Sequence, residues 1–188
     1  MAIVRYRKLS KDQKKLAFAA IDFCVSKFTP RLKDKLTIRI FGIPGLMMKE
    51  GIFADCMDND PFNKLPREFE IRIDNCLDNT IFLRTILHEM VHVKQYAKGE
   101  MRDLVRVSSR TVKFRDEKIL TDKMQYWDYP WEIEAHGREH GLMIQFVEKH
   151  PEFEEMIDLC DLGEYNYDKS IESYKVHRPT QMVLPFDR

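Results

Sequence analysis

Thr80-Ile81-Phe82-Leu83-Arg84-Thr85-Ile86-Leu87-His88-Glu89-Met90-Val91-His92 is a mostly apolar run that ends in two imidazoles flanking a carboxylate. Val91, Val93, Tyr96 and Ala97 carry the apolar character onward, with Asp78 or Asn79 able to cap the start and Gly99 able to end it. The spacing predicts one helix from about Asn79 to Lys98, apolar nearly all round, as expected of a helix through the middle of a domain. On it, His88 and His92 lie four residues apart and share a face, one turn apart. Two ring nitrogens there can converge on one cation, and Zn²⁺ takes such ligands at about 2.0–2.1 Å. Glu89, beside that face, can reach a neighbouring water without binding the metal, so one helix carries two ligands and a general base. Buried in such surroundings without a partner, these three polar residues would be costly.

The rest of the chain bounds what this helix belongs to. At 188 residues, the sequence suggests a single domain over 1–188, with a core at about 10–150 and a C-terminal extension, 151–188, wrapping the surface. Lys+Arg and Asp+Glu are equal at 31 each, so no bulk charge draws the chain to nucleic acid or to an anionic membrane. Cys24, Cys56, Cys76 and Cys160 are scattered without a C-x-x-C pair and read as reduced thiols. The residues after Met1 have no apolar signal region, and no run approaches the roughly 20 apolar residues needed to span a bilayer. The expectation is a soluble, cytoplasmic protein without a membrane partner.

Upstream, Ser10 to about Lys27 has helical spacing of Leu16, Ala19, Ala20, Phe23 and Cys24. Leu36 to Phe41, Gly51 to Cys56 and Glu68 to Ile73 have strand character, and in the last Phe69, Ile71 and Ile73 alternate with polar residues. Downstream, Leu104 to Phe114 and Lys118 to Tyr126 suggest a hairpin. Asp128 as cap and Pro130 in the first turn suggest a helix to about Lys149. A short helix is expected over Glu152 to Leu159.

Catalytic zinc sites normally use three protein ligands, so one more is needed. With about 100° per residue and Glu132 at zero, Ala135, Leu142, Met143, Phe146 and Val147 fall in the same arc. A carboxylate inside that apolar stripe needs a cation, which makes Glu132 the expected third ligand. Glu134 falls on the opposite side and reads as a solvated first-turn acid. His136 and Glu139 share the inner face: His136 as an alternative ligand or oxyanion donor, Glu139 as an acceptor that fixes a histidine tautomer. Either also fits a satisfied polar residue at the core edge. Tyr126 and Tyr129 are further oxyanion candidates, and His140 reads as surface.

The run His88-Glu89-Met90-Val91-His92-Val93-Lys94-Gln95 resembles the active-site helix of small zincin-like and SprT-like metallopeptidases, and Glu132-Ile133-Glu134-Ala135 resembles the Glu-x-x-Ala pattern of glutamate-type zincins. The usual acid after that alanine is replaced by His136, and no metzincin extension follows His92. The resemblance covers roughly Leu36 to Lys149, and proteins of this kind are frequent in phage genomes. It implies an α+β, minimal zincin-like fold: a small, mostly antiparallel sheet packed on helices, the motif helix and a later ligand helix. It also implies one Zn²⁺ per chain on His88, His92 and Glu132, Glu89 as general base, and a protein or peptide substrate. Two alternatives stand beside it: a SprT-like protease acting on DNA-associated proteins with His136 as third ligand, and a zinc-binding protein without activity. The strand Glu68 to Ile73 is either a sheet edge that pairs with substrate or an ordinary sheet member.

Overall fold

The computed structural model describes residues 2–60, 63–104 and 110–158. Its elements are mixed α and β, as expected. Strand β1 (Ile3–Arg7) leads into α1 (Lys11–Phe28) and then β2 (Thr37–Ile43). Ser10 starts α1 with a capping box: its hydroxyl accepts from the Gln13 amide, and Gln13 Oε1 accepts from the Ser10 amide. A short α2 (Leu46–Glu50), β3 (Ala54–Asp58) and β4 (Glu68–Asp74) precede α3 (Asn79–Ala97). The strands β5 (Met101–Asp103), β6 (Thr111–Phe114) and β7 (Glu117–Leu120) follow, then α4 (Pro130–Lys149).

The larger sheet has the order β1-β2-β4-β3, and the smaller the order β5-β6-β7. Antiparallel pairing, the expected mode, holds throughout the small sheet and for β3 against β4, whereas β1–β2 and β2–β4 run parallel. The reason is connectivity, since a parallel pair requires a crossover: α1 supplies it between β1 and β2, and α2 with β3 between β2 and β4. In the parallel β2 the one-wet-face alternation survives, with Ile38 and Ile40 fully buried between half-exposed neighbours. Gly42 in β2 permits a close approach, since a Cβ there would lie 2.2 Å from the Lys8 carbonyl oxygen.

Helix α3 packs against α1, α4, β3 and β4, and so runs through the middle of the fold. Phe82, Leu83, Ile86, Leu87 and Val91 are fully buried on it, each contributing on the order of 1.5–3 kcal/mol. Asp78 caps its start by accepting from the Ile81 amide at 2.9 Å. At its end Gly99, at φ 72°, donates to Tyr96 O while Glu100 donates to Gln95 O, a Schellman closure.

Three expectations change. Asp128 does not cap α4; it lies in a 3-10 turn, Tyr126–Asp128, and Tyr129 stands at the cap without a side-chain bond. The helix expected over Glu152 to Leu159 is a 3-10 turn over Pro151–Met156. The expected hairpin forms as β6 and β7 but is shorter: of Leu104 to Phe114 only Thr111–Phe114 is strand, with 105–109 outside the described residues, and the returning strand ends at Leu120, where a 3-10 turn, Thr121–Lys123, begins. The extension expected to wrap the surface lies, beyond 158, outside them too, as does Cys160. Cys24, Cys56 and Cys76 form no disulfide, and no helix of the described residues is long and apolar enough to cross a membrane.

Candidate functional site

A cavity of about 570 Å³ runs along α3. One wall is α3 itself, through Ile81, Thr85, His88, Glu89, His92 and Tyr96. The residues before β3 and its first half form another, and Tyr126, Trp127, Glu132 and His136 form a third. His88, Glu89, His92 and Glu132 are all less than a tenth exposed.

Helix α4 delivers Glu132 as the apolar stripe predicted. Trp131, Glu132, Ala135, Glu139, Leu142, Met143, Phe146 and Val147 are its buried residues. Glu132 Oε2 lies 3.3 Å from His88 Nε2, Glu132 Oε1 lies 3.5 Å from His92 Nε2, and the two Nε2 atoms are 3.1 Å apart. His88, Glu132 and His136 also offer ligand atoms within 4.8 Å of one another, a group that could hold a metal ion.

The outer nitrogens are held as well. His88 Nδ1 donates to Glu139 Oε1 at 2.7 Å, and Arg84 Nε donates to the other carboxylate oxygen at 2.6 Å. His92 Nδ1 donates to Gln95 Oε1 at 2.9 Å, and Gln95 Nε2 donates to the Trp131 carbonyl and Glu134. Both rings, when neutral, therefore carry their free lone pair on Nε2, aimed at the same space. Arg84 and Gln95 were not singled out from the sequence, although Gln95 follows His92 by one helical step of three, a spacing that brings side chains together.

His136 Nδ1 shares Glu139 Oε1 at 2.7 Å, and its ring lies 4.5 Å from that of His88. Its side chain is 29% exposed, in contrast to the buried His88 and His92. Tyr126 donates to Glu132 Oε2 at 2.8 Å, with its oxygen 3.4 Å from His136 Nε2, so it belongs to the cluster. Tyr129 does not: its hydroxyl donates to the Thr121 carbonyl and its ring stacks on Trp131, outside the cavity wall. His140 is exposed, as expected.

Glu134 differs from its solvated reading. Only 12% of its side chain is exposed, and it pairs with the buried Lys94 at 2.7 Å and with Arg138 at 3.0 Å. The cause is Lys94, which α3 carries into the α3–α4 contact and which needs a counter-charge there. The strand Glu68 to Ile73 proves an ordinary sheet member, since β4 lies between β2 and β3; the edge beside the cavity is β3.

Electrostatics follow from this crowding. Burial disfavours a charge on His88, but Glu132 and Glu139 outweigh it and raise its pKa to about 10. Burial likewise opposes ionisation of Glu132 and Glu139, and their histidine partners overcome it, holding both well below the usual carboxylate range. Glu89 is shifted upward, chiefly by burial, with His88 and His92 acting the other way. Its Oε2 is buried and has no hydrogen-bond partner among the described residues. Asp55, on the β3 wall, is held by Arg72.

Comparison with protein-family models, curated proteins and solved structures finds no match to this chain.

Proposed function

We propose that this protein is a zinc-dependent peptidase in which His88, His92 and Glu132 hold the metal and Glu89 is the general base. One observation carries the reading. The two Nε2 atoms are 3.1 Å apart and each faces one oxygen of the Glu132 carboxylate, at 3.3 Å from His88 and 3.5 Å from His92, spacings close to the edge, about 3.3–3.4 Å, of a tetrahedron whose ligands sit about 2.0–2.1 Å from zinc. A cavity wall that also carries a buried carboxylate oxygen of Glu89 without a hydrogen-bond partner among the described residues supports it further.

When bound, the metal supplies Lewis acidity that polarises a carbonyl and acidifies water. The chain supplies the rest. Glu139 and Gln95 hold the two rings in the tautomer that presents Nε2. Glu89, its pKa raised by burial, accepts a proton from the attacking water and returns it to the leaving amine. Tyr126 and His136 stand where a developing oxyanion would need a donor, once Tyr126 leaves its bond to Glu132. The edge of β3, the outermost strand of the larger sheet among the described residues, runs along the cavity and suits an extended peptide.

A second ligand set, His88, Glu132 and His136, is favoured by the grouping of their ligand atoms; it differs from the SprT-like alternative, in which His136 takes the place of Glu132 beside His88 and His92. Metal content of the purified protein, with zinc-dependent cleavage of an unfolded protein by wild type and Glu89→Gln, tests the function. Equal cleavage by both refutes the mechanism. Bound zinc without any wild-type cleavage favours the non-catalytic alternative.

A further inference from the structure

The cavity continues past the histidines in both directions, and its two ends differ. Asp58 pairs with Phe69 in the β3–β4 ladder, and the Phe69 ring lies 6.5 Å from that of Tyr96, near the end of α3. The opposite end of β3, with Ile52 and Phe53 before it, therefore lies toward the start of α3, where Ile81 joins the wall. Trp127 stands at that same end. Its ring is 5.1 Å from His136, which shares Glu139 with Arg84, one turn before His88.

Met47, Ile52, Phe53 and Ile81 are only half-buried, and Trp127 is 64% exposed, the largest fraction among the exposed large hydrophobic residues. Scattered single apolar residues on a surface are ordinary; five that line one concavity are not. Water between such walls is released favourably when an apolar group enters, and an indole offers a broad flat face to it.

We infer that this end of the cleft is a subsite for a large apolar or aromatic side chain of the substrate, next to the bond that is cut. It rests on the peptidase reading and adds the substrate class. Trp127 is the specificity-determining residue, since among these five apolar wall members it is the one that packing leaves exposed, the other four being half-buried.

The test uses zinc-loaded Glu89→Gln protein and two end-labelled peptides, Gly-Gly-Phe-Gly-Gly and its all-glycine counterpart. Anisotropy is expected to show the phenylalanine peptide binding about tenfold tighter or more, as apolar pockets discriminate. Emission from exposed Trp127 should shift to the blue on binding, whereas Trp131, only 6% exposed, is already buried. Adding Trp127→Ala should remove most of the preference without loss of fold, because the side chain lies at the surface. Equal or absent binding of both peptides, or a preference untouched by Trp127→Ala, overturns the subsite. Cleavage sites of the wild type mapped on unfolded casein separate the two claims. Indiscriminate but Glu89-dependent cutting sinks the subsite alone, and absence of Glu89-dependent cutting sinks the peptidase reading.

Discussion

Glu139 accepts from His88 Nδ1 at 2.7 Å across the α3–α4 contact, so the orientation of the first motif histidine is decided by a residue 51 positions later. The other oxygen of that carboxylate is held by Arg84, which sits one turn before His88 on the same helix. The arrangement leaves the ring little freedom to rotate. Glu139→Gln is expected to weaken metal binding about 10–100-fold, the usual effect of losing a carboxylate behind a histidine ligand. Competition against a chromophoric chelator measures it, with circular dichroism as the control for folding.

The ligand set is open to direct measurement. His92→Ala and Glu132→Ala are expected to lose zinc, whereas His136→Ala keeps it and loses activity only in part. Retention of a full equivalent of zinc by His92→Ala, with loss in His136→Ala, would establish the alternative set.

Glu89→Gln preserves the shape of the side chain and removes the base. Zinc content should stay at one per chain while turnover falls by about 10²–10⁴-fold or more, the range for a positioned proton-transfer group. Side-by-side metal analysis and kinetics decide it.

Glu134 gives a prediction about acid. Burial pushes its pKa up, but Lys94, Gln95 and Arg138 outweigh that and hold it at about 2, against 4.5 ordinarily. A depressed carboxylate stabilises the fold in its ionised form, so the contribution is complete above about pH 4.5 and is lost as pH falls toward 2. Glu134→Gln should cost on the order of 1–2 kcal/mol at neutral pH, since it weakens charged hydrogen bonds at a partly buried pair. Melting temperatures of the two proteins across pH should converge as the solution is acidified through that window.

Gly42→Ala tests the sheet. The added Cβ meets backbone atoms of Lys8, at 2.2 and 2.9 Å, and backbone cannot swing aside as a side-chain tip can. A loss of roughly 2–4 kcal/mol is expected, by steric overpacking. Urea unfolding reads it; an unchanged midpoint would mean that β1 shifts freely.

Helices with strong apolar periodicity were legible from the chain alone. Ser10, Asp78 and Gly99 mark ends of α1 and α3 through their own hydrogen bonds, which depend only on neighbours in sequence. Glu132 could be picked from the stripe of α4 because a carboxylate among apolar residues contradicts its own local pattern. The pairing of strands was less legible. Alternation tells which face of β4 is wet, but not whether its neighbour runs parallel, and that is settled by the path through α2 and β3 that brings the chain back beside β2.

The amino-acid order by itself determined that two imidazoles share one face of a buried helix, since 3.6 residues per turn leaves no other outcome for a spacing of four. The inner face of α4 also offered Glu132 and Glu139 as candidates, but tertiary structure alone decided the other partners: Gln95 behind His92, Tyr126 in front on Glu132, Glu134 drawn inward by Lys94, and Tyr129 turned away to Thr121. Apart from Gln95, those partners stand tens of residues from the groups they meet around α3 or, like Tyr126 and Tyr129, sit where irregular backbone aims the side chain. Such meetings depend on how α4 packs against α3, which no local periodicity encodes.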